Sequence, residues 1–205
     1  MISNSIEALI FDLGGVIISI DYEKTIHAFE NLGMLDFNSV YSQAAQTNLF
    51  DDFETGNISA QRFINSLLPF LKPGTSPNKV AQAWNAMILE VPSQKTDLLK
   101  RLKKKYPIFL LSNTNELHVP VVRREWSKTT DEPMEDFFTK IYFSNEIHLR
   151  KPNRDIFEFV CEEQQLIPEK TLFIDDSIQH IEGAERFGLQ TFHATSSESL
   201  FQLFS

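Results

Sequence analysis

Two short apolar runs in this chain each end abruptly in carboxylate, and that pairing constrains the fold more than any other feature. Ile6 to Ile10 leads into Phe11-Asp12-Leu13-Gly14-Gly15-Val16, and far downstream Phe173-Ile174 leads into Asp175-Asp176-Ser177. A short β-branched and apolar run is the pattern of a strand covered on both faces, as in a parallel sheet packed under helices. In open α/β sheets, ligand chemistry gathers at the carboxyl ends of such strands. Asp12 and Asp176 can therefore converge although they lie far apart in the sequence.

From Ser93 onward the chain fits the same sheet. A helix from about Ser93 to Lys105 precedes a strand from Pro107 to Leu111, which ends at Ser112-Asn113-Thr114-Asn115, and another helix follows. Ile141-Tyr142-Phe143 reads as a strand, Asp155 to Gln164 as a helix, Thr171 to Ile174 as a strand, Ile178 to Phe187 as a helix closed by Gly188, and Thr191-Phe192-His193 as a last strand. Such repetition predicts an α/β fold: a Rossmann-like, mostly parallel sheet with helices on both faces. The stretch from Tyr22 to Ile88 differs, with helical periods and no buried strand. Thr25, Ile26, Phe29 and Leu32 fall near helical spacing before Gly33, and a second helix is expected over Val40 to Ala45. Ser59 caps a third, bearing Phe63, Leu67 and Leu68, and Ser76-Pro77 opens a fourth through Val80, Ala83, Trp84 and Met87. Glu54-Thr55-Gly56-Asn57 reads as a turn between two of these helices. The expected organisation is a core of residues 1–18 and 93–205, with an all-helical cap of residues 19–92 inserted after the first strand and overhanging the sheet's active edge.

Length and charge exclude several functions. The 205 residues, 18 of them Phe, suffice for one well-filled domain and a sizeable insertion. A net charge of −9 without a concentrated basic face argues against a nucleic-acid partner, whose affinity rests on phosphate neutralisation. The one basic cluster, Lys100 to Lys105, fits the solvated last turn of a helix. No apolar run approaches a membrane span, and no basic region precedes the first apolar stretch as it would in a signal peptide. The single cysteine, Cys161, excludes an internal disulfide and suits a reducing compartment; no neighbour in sequence activates it. The expectation is a cytoplasmic protein with no membrane partner. Oligomeric state is not legible.

Four groups fall just beyond expected strands: Asp12, Ser112, Lys151 and the Asp175-Asp176 pair. Singly, each has a plain structural reading, since Asp before Gly14-Gly15 suits a turn, Asp175-Asp176-Ser177 a helix N-terminus, and Lys151-Pro152 a loop. In this order, with Leu111-Ser112-Asn113-Thr114-Asn115 and Arg150-Lys151-Pro152 around them, they resemble the haloacid dehalogenase superfamily over nearly the whole chain. The likeness is greatest to its phosphatase-like branch with a helical cap, and within that to bacterial sugar-phosphate phosphatases with an Asp-Leu-Gly first motif. The resemblance implies that Asp12 is the nucleophile, that Ser112 and Asn113 hold phosphate oxygens, and that Lys151 both binds substrate and neutralises developing charge. It implies Mg²⁺ held by a carboxylate oxygen of Asp12, the carbonyl of Gly14 and the side chain of Asp176, with Asp175 orienting those ligands. A phosphate monoester is an anion, and Asp12 cannot approach it cheaply unless positive charge intervenes; Mg²⁺ with its preference for hard oxygens supplies it. The implied reaction is hydrolysis of a small phosphate monoester, of the sugar-phosphate class, through an aspartyl-phosphate.

One position departs from the family pattern. Phosphatases of this kind carry a second Asp two residues after the nucleophile as general acid and base, and here that position is Gly14. Asp21, Asn115 and His118 lie nearest in sequence as substitutes, with a structural role the plainer reading for His118. Gly14 keeps two alternatives open. A 2-haloacid dehalogenase needs neither the proton nor magnesium, because halide leaves as an anion; a catalytically weak phosphate-binding or regulatory protein needs no turnover. The Asp175-Asp176 pair favours metal-dependent phosphoryl chemistry.

Overall fold

A computed structural model describes residues 3–35, 37 and 48–205. The helix expected over Val40 to Ala45 lies outside the described residues. Five strands, β1 (Ala8–Phe11), β2 (Ile108–Ser112), β3 (Lys140–Phe143), β4 (Thr171–Asp175) and β5 (Gln190–His193), form one sheet in the order β3-β2-β1-β4-β5 with every neighbouring pair parallel. β1, β2 and β4 are buried at every position, which is why they read as unbroken apolar runs, whereas edge strand β5 is only half-covered. Phe11 pairs with Leu110 on one side and Ile174 on the other. Asp12 therefore emerges level with the end of β2 and with Asp175, at the carboxyl edge of the sheet.

Alternation along the strands splits the core in two. Leu9, Phe11, Leu110 and Ile174 face α5 (Ser93–Leu102), α6 (His118–Thr129) and α10 (Ser197–Leu203). Ala8, Ile10, Phe109 and Phe173 face α8 (Arg154–Gln164) and α9 (Ile178–Phe187). Between α8's sheet strand β3 and α8 itself lies the short α7 (Ser144–Ile147). The helices on both faces of a parallel sheet match the α/β expectation.

Four further helices, α1 (Tyr22–Asn31), α2 (Leu49–Glu54), α3 (Ala60–Leu67) and α4 (Pro77–Asn85), bury a separate cluster centred on Phe29, Phe53, Phe63, Val80 and Trp84. Their starts follow capping chemistry: Asp21 accepts from the Glu23 N–H, Ser59 from Arg62, and Ser76 from Lys79 with Pro77 at the first helical position. The chain enters and leaves this unit through one antiparallel strap. Ser19 N–H donates to Glu90 O (3.0 Å), Leu89 N–H to Ser19 O (3.0 Å) and Asp21 N–H to Met87 O (2.9 Å), with Ile20 bridging Ile88.

Three helices, α2, α7 and α10, were not expected from the sequence. α2 occupies a stretch with no helix expected, because six residues are too few to display a period. α10 was likewise not expected; its capping box of Ser196 and Ser199 lies in a polar segment. The basic cluster is the expected solvated end of α5, with Arg101 and Lys103 to Lys105 exposed, and Lys100 and Lys103 also lie 5.5 and 5.6 Å from the Phe137 ring while Lys103 Nζ donates to Asp136 O. Among the described residues no helix is long and apolar enough to cross a membrane.

Candidate active site

Lys151 has no exposed surface, and its ammonium gathers the ends of three strands. Nζ donates to Asp12 Oδ1 (2.6 Å), Asp175 Oδ2 (2.6 Å) and Leu111 O (2.9 Å), which uses all three of its protons. The Lys151 main chain is clamped in turn by Asn113, whose Oδ1 accepts from Lys151 N–H and whose Nδ2 donates to Lys151 O, both at 2.9 Å. The Asn113 amide thus holds the lysine's main chain at both its N–H and its carbonyl, while Asn113 itself lines the cleft. Ser112 is buried beside it, and its hydroxyl makes one long contact, 3.4 Å to Asn113 O.

Asp12, Asp175 and Asp176 each offer a carboxylate oxygen, all within 4.8 Å of one another. Asp175 is occupied on both oxygens: Oδ2 by Lys151, and Oδ1 by Ser177 N–H (2.8 Å) and His180 Nδ1 (3.0 Å). Asp176 is the more open member, and the turn after β1 is shaped around it. Gly15 has φ +70°, and a Cβ there would collide with Asp176 Oδ2. Only glycine meets both conditions.

The charge balance asks for a cation. Burial pushes the Asp12 carboxyl up to about 7, with Lys151 pulling it down and Asp175 and Asp176 pushing it further up. Asp175 is also desolvated, but Lys151 and His180 hold it well below the usual carboxylate range. Asp176 is raised by burial and by Asp175. Three carboxylates face one ammonium. Hard oxygens on Asp12 and Asp176, with Gly14 lining the same cleft, are a donor set that fits Mg²⁺ and would relieve that excess.

The cluster opens into a cleft of about 660 Å³. Asp12, Gly14, Ser112, Asn113 and Asp176 contribute polar lining, Ile20, Met87 and Ile88 an apolar wall, and Trp84, Glu54 and Arg150 also line it. Asp21, Asn115 and His118 are not free for proton transfer. Asp21 caps α1, Asn115 Oδ1 accepts from the Leu117 and His118 N–H groups, and the His118 ring is stacked on Trp84 at 5.3 Å. Asn115 Nδ2 and Trp84 O engage its two ring nitrogens, and burial lowers it to about 4, so it is neutral and structural. Cys161 is buried on α8 with its thiol pushed up to about 11 by burial, an inert packed residue.

Residues that sequence reasoning missed join α2 to the sheet edge. Ser144 Oγ accepts from Thr114 N–H (2.8 Å) and donates to Glu54 O (2.6 Å), while His148 Nδ1 meets Thr55 O at 2.7 Å. Arg150 pairs with Asp51 (2.5 Å) and Glu54 (2.8 Å). Gly56, φ +69°, lies so close to Asn145 O that a Cβ would collide with it. Gly56→Ala is expected to destabilise the protein by about 1–3 kcal/mol, read from urea unfolding; an unchanged midpoint would show that this contact yields freely. Only Gly56 itself carried a signal, and it read as a turn.

The chain matches the model of the haloacid dehalogenase-like hydrolase family over residues 6–188. It belongs to that family of hydrolases. It is similar to the D-ribitol-5-phosphate phosphatase of Bacteroides thetaiotaomicron, 33% identical over 187 residues that cover 91% of each chain. Its fold matches a haloacid dehalogenase family enzyme of the same organism, solved with magnesium and inorganic phosphate, with TM-score 0.89 and 32% identity over 98% of this chain and 100% of that one. A haloacid dehalogenase-like hydrolase from Porphyromonas gingivalis matches with TM-score 0.78 and 31% identity over 92% of this chain and 90% of that one.

Proposed function

We propose that this hydrolase is a Mg²⁺-dependent phosphatase that cleaves a small phosphate monoester of the sugar-phosphate or polyol-phosphate class, with Asp12 as nucleophile. The observation that carries the reading is the Asp12 carboxylate, fixed by a fully buried Lys151 beside two further carboxylates at the carboxyl edge of the sheet. The likeness to a D-ribitol-5-phosphate phosphatase supports the substrate class. A dehalogenase has no use for the excess negative charge at Asp176.

Asp12, the Gly14 carbonyl and Asp176 would hold Mg²⁺, which would supply positive charge where the phosphate meets the nucleophile. Lys151 fixes the rotation of Asp12 through Oδ1 and lowers the cost of placing charge beside it. The Ser112 hydroxyl and the Asn113 N–H hold phosphate oxygens in line for attack. Asp12 bonds to phosphorus as the bond to the substrate oxygen breaks, and water then displaces Asp12 from the aspartyl-phosphate. Asp175 keeps Lys151 and the start of α9 in place. Residues 1–18 and 93–205 act as the catalytic core and residues 19–92 as a cap; the separate apolar cluster of α1 to α4 supports that division. The reducing cytoplasm suits the lone, buried Cys161, and the net charge of −9 argues against nucleic acid.

Phosphate release from a panel of sugar and polyol phosphates, and from para-nitrophenyl phosphate, is expected with Mg²⁺ and not with EDTA. Absence of release from every substrate favours the binding-protein alternative. Chloride release from a 2-haloacid in EDTA would establish the dehalogenase instead.

A further inference from the structure

Hydrolysis of an alkyl phosphate needs a proton delivered to the departing oxygen and, in the second half, one taken from the attacking water. Gly14 can do neither, and the turn is built around its bare position, since a Cβ there would stand 3.3 Å from Ile20 Cγ1. Asp21, Asn115 and His118 are committed to capping and stacking. His180 reaches the cleft with its Nδ1 tied to both oxygens of Asp175, 3.0 and 3.1 Å away, which directs the ring to the carboxylate cluster. Among the described residues, one carboxyl other than Asp12 and Asp176 lines the cleft, and it is Glu54.

Glu54 is anchored at the catalytic edge by its backbone. The Ser144 hydroxyl that donates to Glu54 O at 2.6 Å also accepts from the N–H of Thr114, two residues beyond Ser112. Arg150, the neighbour of Lys151 in the chain, pairs with the buried Glu54 Oε2 at 2.8 Å. That ion pair fixes the carboxyl of a residue that lines the cleft, so a ligand in the cleft meets a carboxyl already held in place. Burial also raises the proton affinity of Glu54, with Arg150 partly offsetting it.

We propose that Glu54 is the general acid and base of this reaction, taking the place of the side chain that position 14 lacks. In the first half the Glu54 proton passes to the substrate oxygen as its bond to phosphorus breaks and Asp12 bonds to phosphorus. In the second half the Glu54 carboxylate takes a proton from water as the water oxygen bonds to phosphorus and Asp12 is released, so the acid is restored with each turnover. This assignment rests on the phosphatase reading.

Glu54→Gln and the wild type are compared on a pentitol phosphate, whose alkoxide leaves poorly, and on para-nitrophenyl phosphate, whose phenolate leaves without a proton, by rapid quench and steady state in Mg²⁺. On the pentitol phosphate, kcat is expected to fall about 10²–10⁴-fold. On the aryl ester the variant is expected to give a burst of nitrophenol equal to the enzyme, followed by slow turnover, because the water step still lacks its base. Equal losses on both substrates without a burst, or a raised KM with unchanged kcat, would overturn the assignment. Should Glu54→Gln lose its circular dichroism spectrum, Glu54→Asp keeps a carboxyl withdrawn by one methylene and must show the same bias against the alkyl ester; absence of bias overturns the proposal. Failure of the phosphatase reading has a different signature, a wild type that releases phosphate from neither ester, and it removes this assignment too.

Discussion

Asp12→Asn lowers turnover on the order of 10⁴-fold or more and leaves the sheet intact. Asn keeps the shape of the side chain and its capacity to accept from Lys151 Nζ, now 2.6 Å away, but it is no nucleophile. The variant also reports the charge state of the site. Asp12 is raised from 3.8 to about 7 by burial, against the pull of Lys151 and with the push of Asp175 and Asp176. A folded-state value above the unfolded one means that the native protein binds this proton more tightly. Its contribution is therefore fully present below pH 3.8 and is lost as pH rises to about 7, above which the loss is complete. In EDTA, urea unfolding should show Asp12→Asn gaining on the wild type between these limits. Saturating Mg²⁺ should return stability to the wild type, because a cation that binds only the folded carboxylates adds its binding free energy. Substantial residual turnover would sink the nucleophile assignment, and a stability difference that ignores pH would show that Lys151 alone compensates Asp12.

Lys151→Met has the opposite profile: activity and stability fall together. The ammonium has no contact with water, and its removal strands oxygens on Asp12, Asp175 and Leu111 that now lie 2.6 to 2.9 Å from a donor. Breaking a buried pair by deleting one partner costs about 3–5 kcal/mol, since the surviving charges stay buried. Burial opposes the charge on Lys151 while Asp12 and Asp175 together hold its proton on more tightly than usual. Matched urea curves for the two variants decide the point. If Lys151→Met unfolds at the wild-type midpoint, the cluster is held by packing and not by charge.

The sheet was legible because β1, β2 and β4 are covered on both faces, so that each is an apolar run broken off by a polar residue at the catalytic edge. Local rules sufficed for helix ends such as Ser59, Ser76-Pro77 and Gly188, whose φ is +114°. The motif reading brought Asp12, Lys151, Asp175 and Asp176 together, and they are together. What it could not supply was the partner of each side chain. Asn113 is a polar residue after a strand whichever way its amide turns, and only the fold shows it gripping the Lys151 peptide. Glu54 was hidden more deeply. α2 is too short to announce itself, and its seat is made of main-chain oxygens, Glu54 O and Thr55 O, that every residue type possesses.

The strap through which the chain crosses into the helical unit has a bearing on how this enzyme could change. Ile20 and Ile88, which bridge its two strands, also form the apolar wall of the cleft, and Ile20 abuts the bare Gly14. The same two residues therefore give the tether its main-chain bridge and the cleft its apolar wall. Trimming those isoleucines to admit a bulkier substrate would leave the main-chain bonds of the strap in place but remove apolar packing at the crossing, where Ile88 is buried in the core and Ile20 packs against it. A change of cleft shape made at the crossing therefore costs core packing, which a change at the exposed lining residue Gln179 does not.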